Sequence, residues 1–166
     1  MKGEASGEAD ASSFHPSRRL GQNFLVDKQI VERIVKALNP TTGETIIEIG
    51  PGKGALTERL VERTERLIAI EFDRTLAPAL AQRFIQRANF KLLQADALQA
   101  DFCEAIAPAT TARVVANLPY NISTAILQHL TAWGAAIDVT HGPRPNTSCD
   151  PANHCVLRIH AVGKEK

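Results

Sequence analysis

The chain has 166 residues, 44% hydrophobic and 22% charged, with a formal net charge of +1. That length carries one domain with a real core, and the composition is ordinary for a soluble globular protein. The near-neutral charge leaves any nucleic-acid binding to a local patch, and no run approaches the roughly 18 apolar residues of a membrane span. Three cysteines, Cys103, Cys149 and Cys155, form an odd set with no tight framework. They point to a reduced, cytoplasmic chain and not a disulfide scaffold.

Residues 1–13 are small and polar, without the apolar core of a signal peptide, and read as a disordered tail. A basic stretch with His15, Arg18 and Arg19 leads into Gly21-Gln22-Asn23-Phe24-Leu25. Asp27 then suits a helix N-cap. Ile30, Val31, Ile34, Val35 and Leu38 recur at helical spacing until Asn39-Pro40 closes the helix. Beyond it the pattern alternates. Strands are predicted at Thr45–Ile49, Leu67–Ile70, Phe90–Leu93 and Val114–Ala116, and helices at Ala55–Arg63 and Leu76–Arg87, with a third capped by Ser123 and running to about Thr131. Short apolar strands alternating with helices predict an α/β fold with a parallel sheet covered on both faces. From about Trp133 the periodicity stops, and Val156–Ile159 is the only apolar cluster left. The organisation read from this is a tail at 1–13, a partial domain at 14–133 and an irregular tail at 134–166.

Glu48-Ile49-Gly50-Pro51-Gly52-Lys53-Gly54 follows the first strand and opens a helix. Its glycines permit a tight turn and let backbone approach a ligand. Taken alone, such a turn equally well just joins strand to helix. Glu71 ends the second strand, where a carboxylate can accept hydrogen bonds from both ribose hydroxyls of a nucleoside cofactor, and Asp96 follows the third, where it can accept from an adenine amino group. Three strand ends then converge on one crevice. The competing reading is a nicotinamide-dinucleotide domain, whose glycines fall G-x-G-x-x-G; here they fall G-x-G-x-G, which suits a methyltransferase cofactor better.

Asn117-Leu118-Pro119-Tyr120 closes the fourth strand. An exocyclic adenine amine is a poor nucleophile because its lone pair is delocalised into the ring. The Asn117 side-chain oxygen and the Leu118 carbonyl are two acceptors that would favour a pyramidal nitrogen. Pro119 would stiffen the turn, and Tyr120 could stack on a base drawn out of its helix. Orientation and electrostatics would then supply much of the catalysis. A plain strand followed by a proline turn, with Tyr120 as a half-buried ring, is the bland alternative for this motif alone.

Taken together and in order, Leu20–Leu25, Glu48–Thr57, Ile70-Glu71, Gln94–Ala97 and Asn117–Ser123 resemble the rRNA adenine N6-dimethyltransferases of the small ribosomal subunit, over roughly residues 15–131. The wording is closer to this housekeeping branch than to the related resistance enzymes acting on large-subunit rRNA. The resemblance implies a Rossmann-like methyltransferase fold that is incomplete at its C-terminal side. It implies S-adenosylmethionine as cofactor, and small-subunit rRNA or an immature small subunit as partner, for a chain that would be monomeric. It further implies that Asn23 and Leu25 contact the cofactor from the N-terminal segment, that Gly50 and Gly52 lie under it, that Glu71 holds the ribose and Asp96 the adenine, and that Asn117 serves cofactor and target alike.

Family members continue with further strands, a second clamping aromatic and a small helical domain. Here the resemblance ends after about Thr131, and without later strands Arg113–Ala116 is predicted to present an unpaired edge prone to aggregation. An inactive fragment, or a non-catalytic module binding RNA or cofactor in ribosome assembly, is therefore the alternative to an active enzyme. The His and Cys residues of the tail (His141, Cys149, His154, Cys155 and His160) lack metal-ligand spacing, so no metal is expected. Arg18, Arg19, Lys28, Arg33 and Lys36 suit either a phosphate backbone or a solvated helix face.

Overall fold

Strand β1 (Thr45–Ile49) is the axis of the fold, and its β-branched run is buried from Ile46 to Ile49. The structure, a computed structural model, describes residues 25–118, 120–132, 136–137 and 156–161. On one side of β1 lies β2 (Arg66–Glu71), followed by β3 (Phe90–Gln94); on the other lies β4 (Thr111–Ala116). With β5 (Ala136–Ile137) and β6 (Val156–Ala161) the order is β3-β2-β1-β4-β6-β5, and every pair is parallel.

Helices cover both faces, as continuous apolar strands require. Helices α1 (Lys28–Leu38), α2 (Ala55–Leu60) and α3 (Ala77–Arg83) lie on one face. There Val31, Ile34, Leu38, Leu60, Leu80 and Phe84 close over Ile46, Leu67 and Val115. On the other face α4 (Phe102–Ile106) and α5 (Tyr120–Ala132) place Phe102, Ile106, Ile126 and Leu130 over Ile47, Ile68, Ile70 and Val114. Each strand thus divides its residues between two cores by its period of two. The predicted three-layer α/β fold is present.

Helix α1 starts and stops where its sequence says. The Asp27 carboxylate accepts from Gln29 N at 2.8 Å, and Asn39 leaves the helix in the left-handed region at φ 44°. Helix α5 differs. It begins at Tyr120 and not behind Ser123, whose hydroxyl instead donates to the Leu118 carbonyl at 3.5 Å.

Helix α4 has no counterpart in the sequence reading. Asp101 caps it by accepting from Glu104 N at 2.9 Å. At its other end the Arg66 guanidinium donates to the carbonyls of Ala105, Ile106 and Ala107. A cation on those carbonyls satisfies acceptors that a helix C-terminus leaves open. Phe102 is fully buried here, which is worth about 2–3 kcal/mol of transfer free energy.

The end of the chain corrects two expectations. Val156–Ala161 is a strand, not irregular chain, and it pairs along β4 from Thr111↔Val156 to Ala116↔Ala161. Arg113–Ala116 is therefore not an open edge. The row of unpaired N–H and C=O groups on β4 is a template for any apolar segment that can extend beside it, and the one apolar cluster of the tail takes that place. Cys103 on α4 is disulfide-bonded, contrary to the expected reduced state. An odd count excludes complete pairing but not one bridge; Cys149 and Cys155 lie outside the described residues. Among the described residues no helix is long and apolar enough to cross a membrane, and no group of His, Cys, Asp and Glu is placed to hold a metal ion.

Candidate cofactor crevice

The carboxyl ends of four strands bring the candidate residues to one edge of the sheet. Glu71 ends β2, Gly50 directly follows β1, Asp96 lies two residues beyond β3, and Asn117 directly follows β4. The chain runs outward from β1 through β2 and β3, then returns to the opposite side of β1 for β4. In open α/β sheets, ligands sit at such a reversal, outside the carboxyl ends of the strands.

The turn between β1 and α2 is built for close approach. Gly50, Gly52 and Gly54 have φ of 69°, 57° and 80°, a region costly to residues with a Cβ. Gly54 is the tightest. A Cβ there would stand 2.9 Å from Leu80 Cδ2 and 3.2 Å from Phe84 Cε2. Gly54→Ala is expected to destabilise the fold by about 2 kcal/mol, combining left-handed strain with overpacking. Urea unfolding measures it, and an unchanged midpoint would count against this packing.

The turn is braced from several sides. Gly54 N donates to Pro51 O at 2.9 Å, and Gly50 N donates to Ile70 O at 3.0 Å. Gly52 N donates to Glu71 Oε2 at 3.0 Å. Arg83 reaches across from α3 to donate to Lys53 O at 2.9 Å while pairing with Glu58. At Gly50 a Cβ would come within 3.2 Å of Leu118 Cδ2, so β4's exit lies directly against the turn.

Glu71 is buried, and its Oε1 accepts from Asp73 N at 2.9 Å. Asp96 is half-buried and accepts from Leu98 N through Oδ1 at 2.9 Å. Glu48 was part of the motif but had no assigned role. It points to the face carrying α2, where the Thr57 hydroxyl donates to Oε2 at 2.7 Å. Burial pushes its carboxyl up to about 7; the Thr57 hydroxyl opposes this, the nearby Glu71 charge adds to it, and the Thr57 amide opposes it further. An acid inside the otherwise apolar Thr45–Ile49 strand was the available signal.

Gly50, Gly52, Glu71, Asp96, Asn117 and Leu118 thus share the carboxyl edge. Leu25 is partly buried against the α1–α3 core. Tyr120 opens α5, while its side chain, and all of Asn23 and Pro119, lie outside what the structure describes. Of the basic cluster, Lys28, Arg33 and Lys36 are exposed on α1, and Glu32 between them pairs with Arg59 of α2 at 2.9 Å.

A sequence model of the family described as "Ribosomal RNA adenine dimethylase" matches residues 13–146, past Thr131, where the resemblance was expected to end. The "Ribosomal RNA small subunit methyltransferase A" of Pseudomonas putida is 46% identical over 124 residues, covering 75% of this chain and 46% of that protein. The chain spans about half the length of the curated relatives it matches. The crystal structure of the 23S rRNA methyltransferase ErmE superposes with a TM-score of 0.57 at 30% identity, over 64% of this chain and 42% of that one. A dimethyladenosine transferase from Plasmodium falciparum gives a TM-score of 0.58 at 25% identity, over 66% of this chain and 38% of that one.

Proposed function

Because the chain belongs to the ribosomal RNA adenine dimethylase family, we propose that its crevice serves S-adenosylmethionine-dependent methyl transfer to the 6-amino group of adenosines in small-subunit ribosomal RNA. One observation carries this reading: Glu71 is fixed against the glycine turn by Gly52 N, with Asp96 just beyond β3 and Asn117 just beyond β4, the strands that flank β2 and β1.

The residues present fit that cofactor. Each Glu71 oxygen accepts one backbone N–H, from Gly52 and from Asp73. A carboxylate has about four acceptor sites, so among the described residues one lone pair on each oxygen is left for the two ribose hydroxyls. Asp96 likewise spends one oxygen on Leu98 N and offers the other to an adenine amino group. The space above Gly50, which a Cβ would fill against Leu118, is the cradle. Asn23 and Leu25 would close it from the N-terminal segment.

When bound, S-adenosylmethionine supplies an electrophilic methyl group on a sulfonium. The chain's own residues supply position and polarity. The Asn117 side-chain oxygen and the Leu118 carbonyl would accept from the two protons of the target amine, localising its lone pair. The Ser123 hydroxyl, at a long 3.5 Å, occupies only one of the two lone pairs of the Leu118 carbonyl. Pro119 would hold the turn rigid and Tyr120 would stack on the base. No strong base is needed, because the nitrogen loses its proton readily once alkylated.

The partner in this reading is small-subunit rRNA or an immature small subunit, in the cytoplasm, met by a monomer. The methyltransferase domain of this reading takes residues 14–133 together with the strands β5 and β6 that complete its sheet. A second reading is a non-catalytic RNA- or cofactor-binding module, in which the same crevice holds its ligand without methyl transfer.

Calorimetric titration of S-adenosylmethionine tests the cofactor site. The wild-type chain is expected to bind saturably. Glu71→Ala is expected to bind at least about tenfold more weakly, since hydrogen bonds to a charged group contribute about 1.5–3 kcal/mol each. Equal affinity in the two would sink the assignment. Methyl incorporation into immature small subunits then separates enzyme from module.

A further inference from the structure

The glycine turn is stapled at its base by a pair outside the cofactor residues. Glu48 precedes the turn and Thr57 follows it, and the Thr57 hydroxyl donates to Glu48 Oε2 at 2.7 Å across nine positions of sequence. The Thr57 amide also bonds to this carboxyl. Thr57 lies in the first turn of α2, whose N-cap, Gly54, has no side chain to accept from it. Glu48 therefore does for α2 what an N-cap side chain does elsewhere, from the neighbouring strand.

Resting on the cofactor reading above, we propose that Glu48 is a positioning residue for a cationic cofactor: the ligand's positive charge draws Glu48 into its ionised form, which tightens the grip on Thr57 and fixes the glycine turn beneath the ligand. Hydrogen bonds to an ionised acceptor are shorter and stronger than those to a neutral one. The staple, 2.7 Å here, would therefore hold more firmly once Glu48 is ionised.

Three observations support this. Glu48 is almost wholly buried, so its ionisation answers to nearby charge and not to bulk water. Glu71 acts on it electrostatically and also binds Gly52 N in the turn, so both acids share the field of the crevice. A sulfonium cannot shed its charge by losing a proton, and the adjustment must come from the protein. In the resting chain Glu48 holds its proton up to about pH 7, which leaves that adjustment available near neutrality.

Among the described residues the groups around it are few. From β2, Glu71 faces it with like charge, and its neighbour in register is Ala69. From β4 the neighbour in register is Val115. From α2 comes Thr57. Among the charges of the helices on this face, Glu32 of α1 pairs with Arg59 of α2, and Glu58 of α2 with Arg83 of α3, in ion pairs about half exposed. Lys28, Arg33 and Lys36 of α1 and Lys53 of the turn are exposed.

Binding and ionisation are reciprocal, so cofactor binding must expel a proton. Titrations of S-adenosylmethionine at pH 7 in buffers of different ionisation enthalpy are expected to show proton release by the intact chain. Affinity is expected to rise by about threefold to tenfold between pH 6 and 8: from a resting value of about 7, a fall of about one unit gives about fivefold over that interval, and full ionisation in the complex gives about tenfold. S-adenosylhomocysteine, which lacks the sulfonium charge, should release less. Glu48→Gln should bind without proton release and without that pH dependence. Thr57→Val removes a donor that favours the charged form, and should move the pH window upward. Binding by the wild type with no proton exchange, or undiminished release by Glu48→Gln, overturns the inference while leaving the cofactor site standing. A folded wild-type chain that binds no S-adenosylmethionine at any pH overturns both.

Discussion

A chain ended at residue 155 is expected to self-associate at concentrations where the intact chain stays dispersed. Strand β6 covers β4 along six register pairs, Thr111↔Val156 to Ala116↔Ala161. Without it one whole side of β4 loses its backbone partners, next to the buried Val114 and Val115. Each backbone hydrogen bond contributes only about 1 kcal/mol net, but several lost together remove a large part of the roughly 5–15 kcal/mol by which a domain is stable. The exposed row also pairs readily with another chain. Light scattering coupled to size-exclusion chromatography would read the association, and thermal unfolding the lost stability. Ile159→Pro in the intact chain, opposite Val114 in register, should act in the same direction by removing one ladder donor. A monodisperse truncated chain with an unshifted melting temperature would mean that β6 contributes nothing to the sheet.

That strand marks where local sequence stops being informative. Elements set by their own residues were legible: α1 from the Asp27 cap and the spacing of Val31, Ile34 and Leu38, and β1 from a β-branched run. Helix α4 was missed because five residues are too few for periodicity to register. Its cap, Asp101, and its apolar Phe102, Ala105 and Ile106 at helical spacing were nevertheless present, and Arg66, 39 to 41 positions away, closes its far end. The start of α5 was misplaced because Ser123 looks like a cap, yet its hydroxyl turns back to Leu118 O. Strand β6 depends on a partner edge some 45 positions earlier in the chain, a non-local fact that its own apolar residues only permit. The edge that gathers the candidate residues was legible for a different reason. Its residues occupy strand ends, and a parallel sheet brings strand ends to one edge whatever the connections between them. What the motif did not disclose was Glu48. Its role depends on which face of β1 it takes, and on Thr57 standing there.

Glu48 also sets an expectation for stability. Its carboxyl rests at about 7 in the folded chain against 4.5 for the free side chain. A group whose pKa is raised on folding binds its proton more tightly in the native state. Its favourable contribution is complete below pH 4.5 and is lost as pH rises through about 7. The difference between those two values corresponds to roughly 3 kcal/mol at most. Wild-type stability should therefore carry a downward slope between about pH 5 and 7.5 that Glu48→Gln lacks, with the variant gaining on the wild type by up to about 3 kcal/mol above that window. The slope is the diagnostic quantity and not the level, because the Gln amide brings its own donors into a buried place. Urea unfolding at half-unit pH steps measures it, and parallel curves for the two proteins would rule the buried acid out as the cause. If the slope is found, the chain tolerates at neutral pH a destabilising carboxylate that an isosteric amide would relieve. A residue that weakens the empty fold in the pH range where it would strengthen the grip on a cationic ligand is the signature of a site arranged for its bound state.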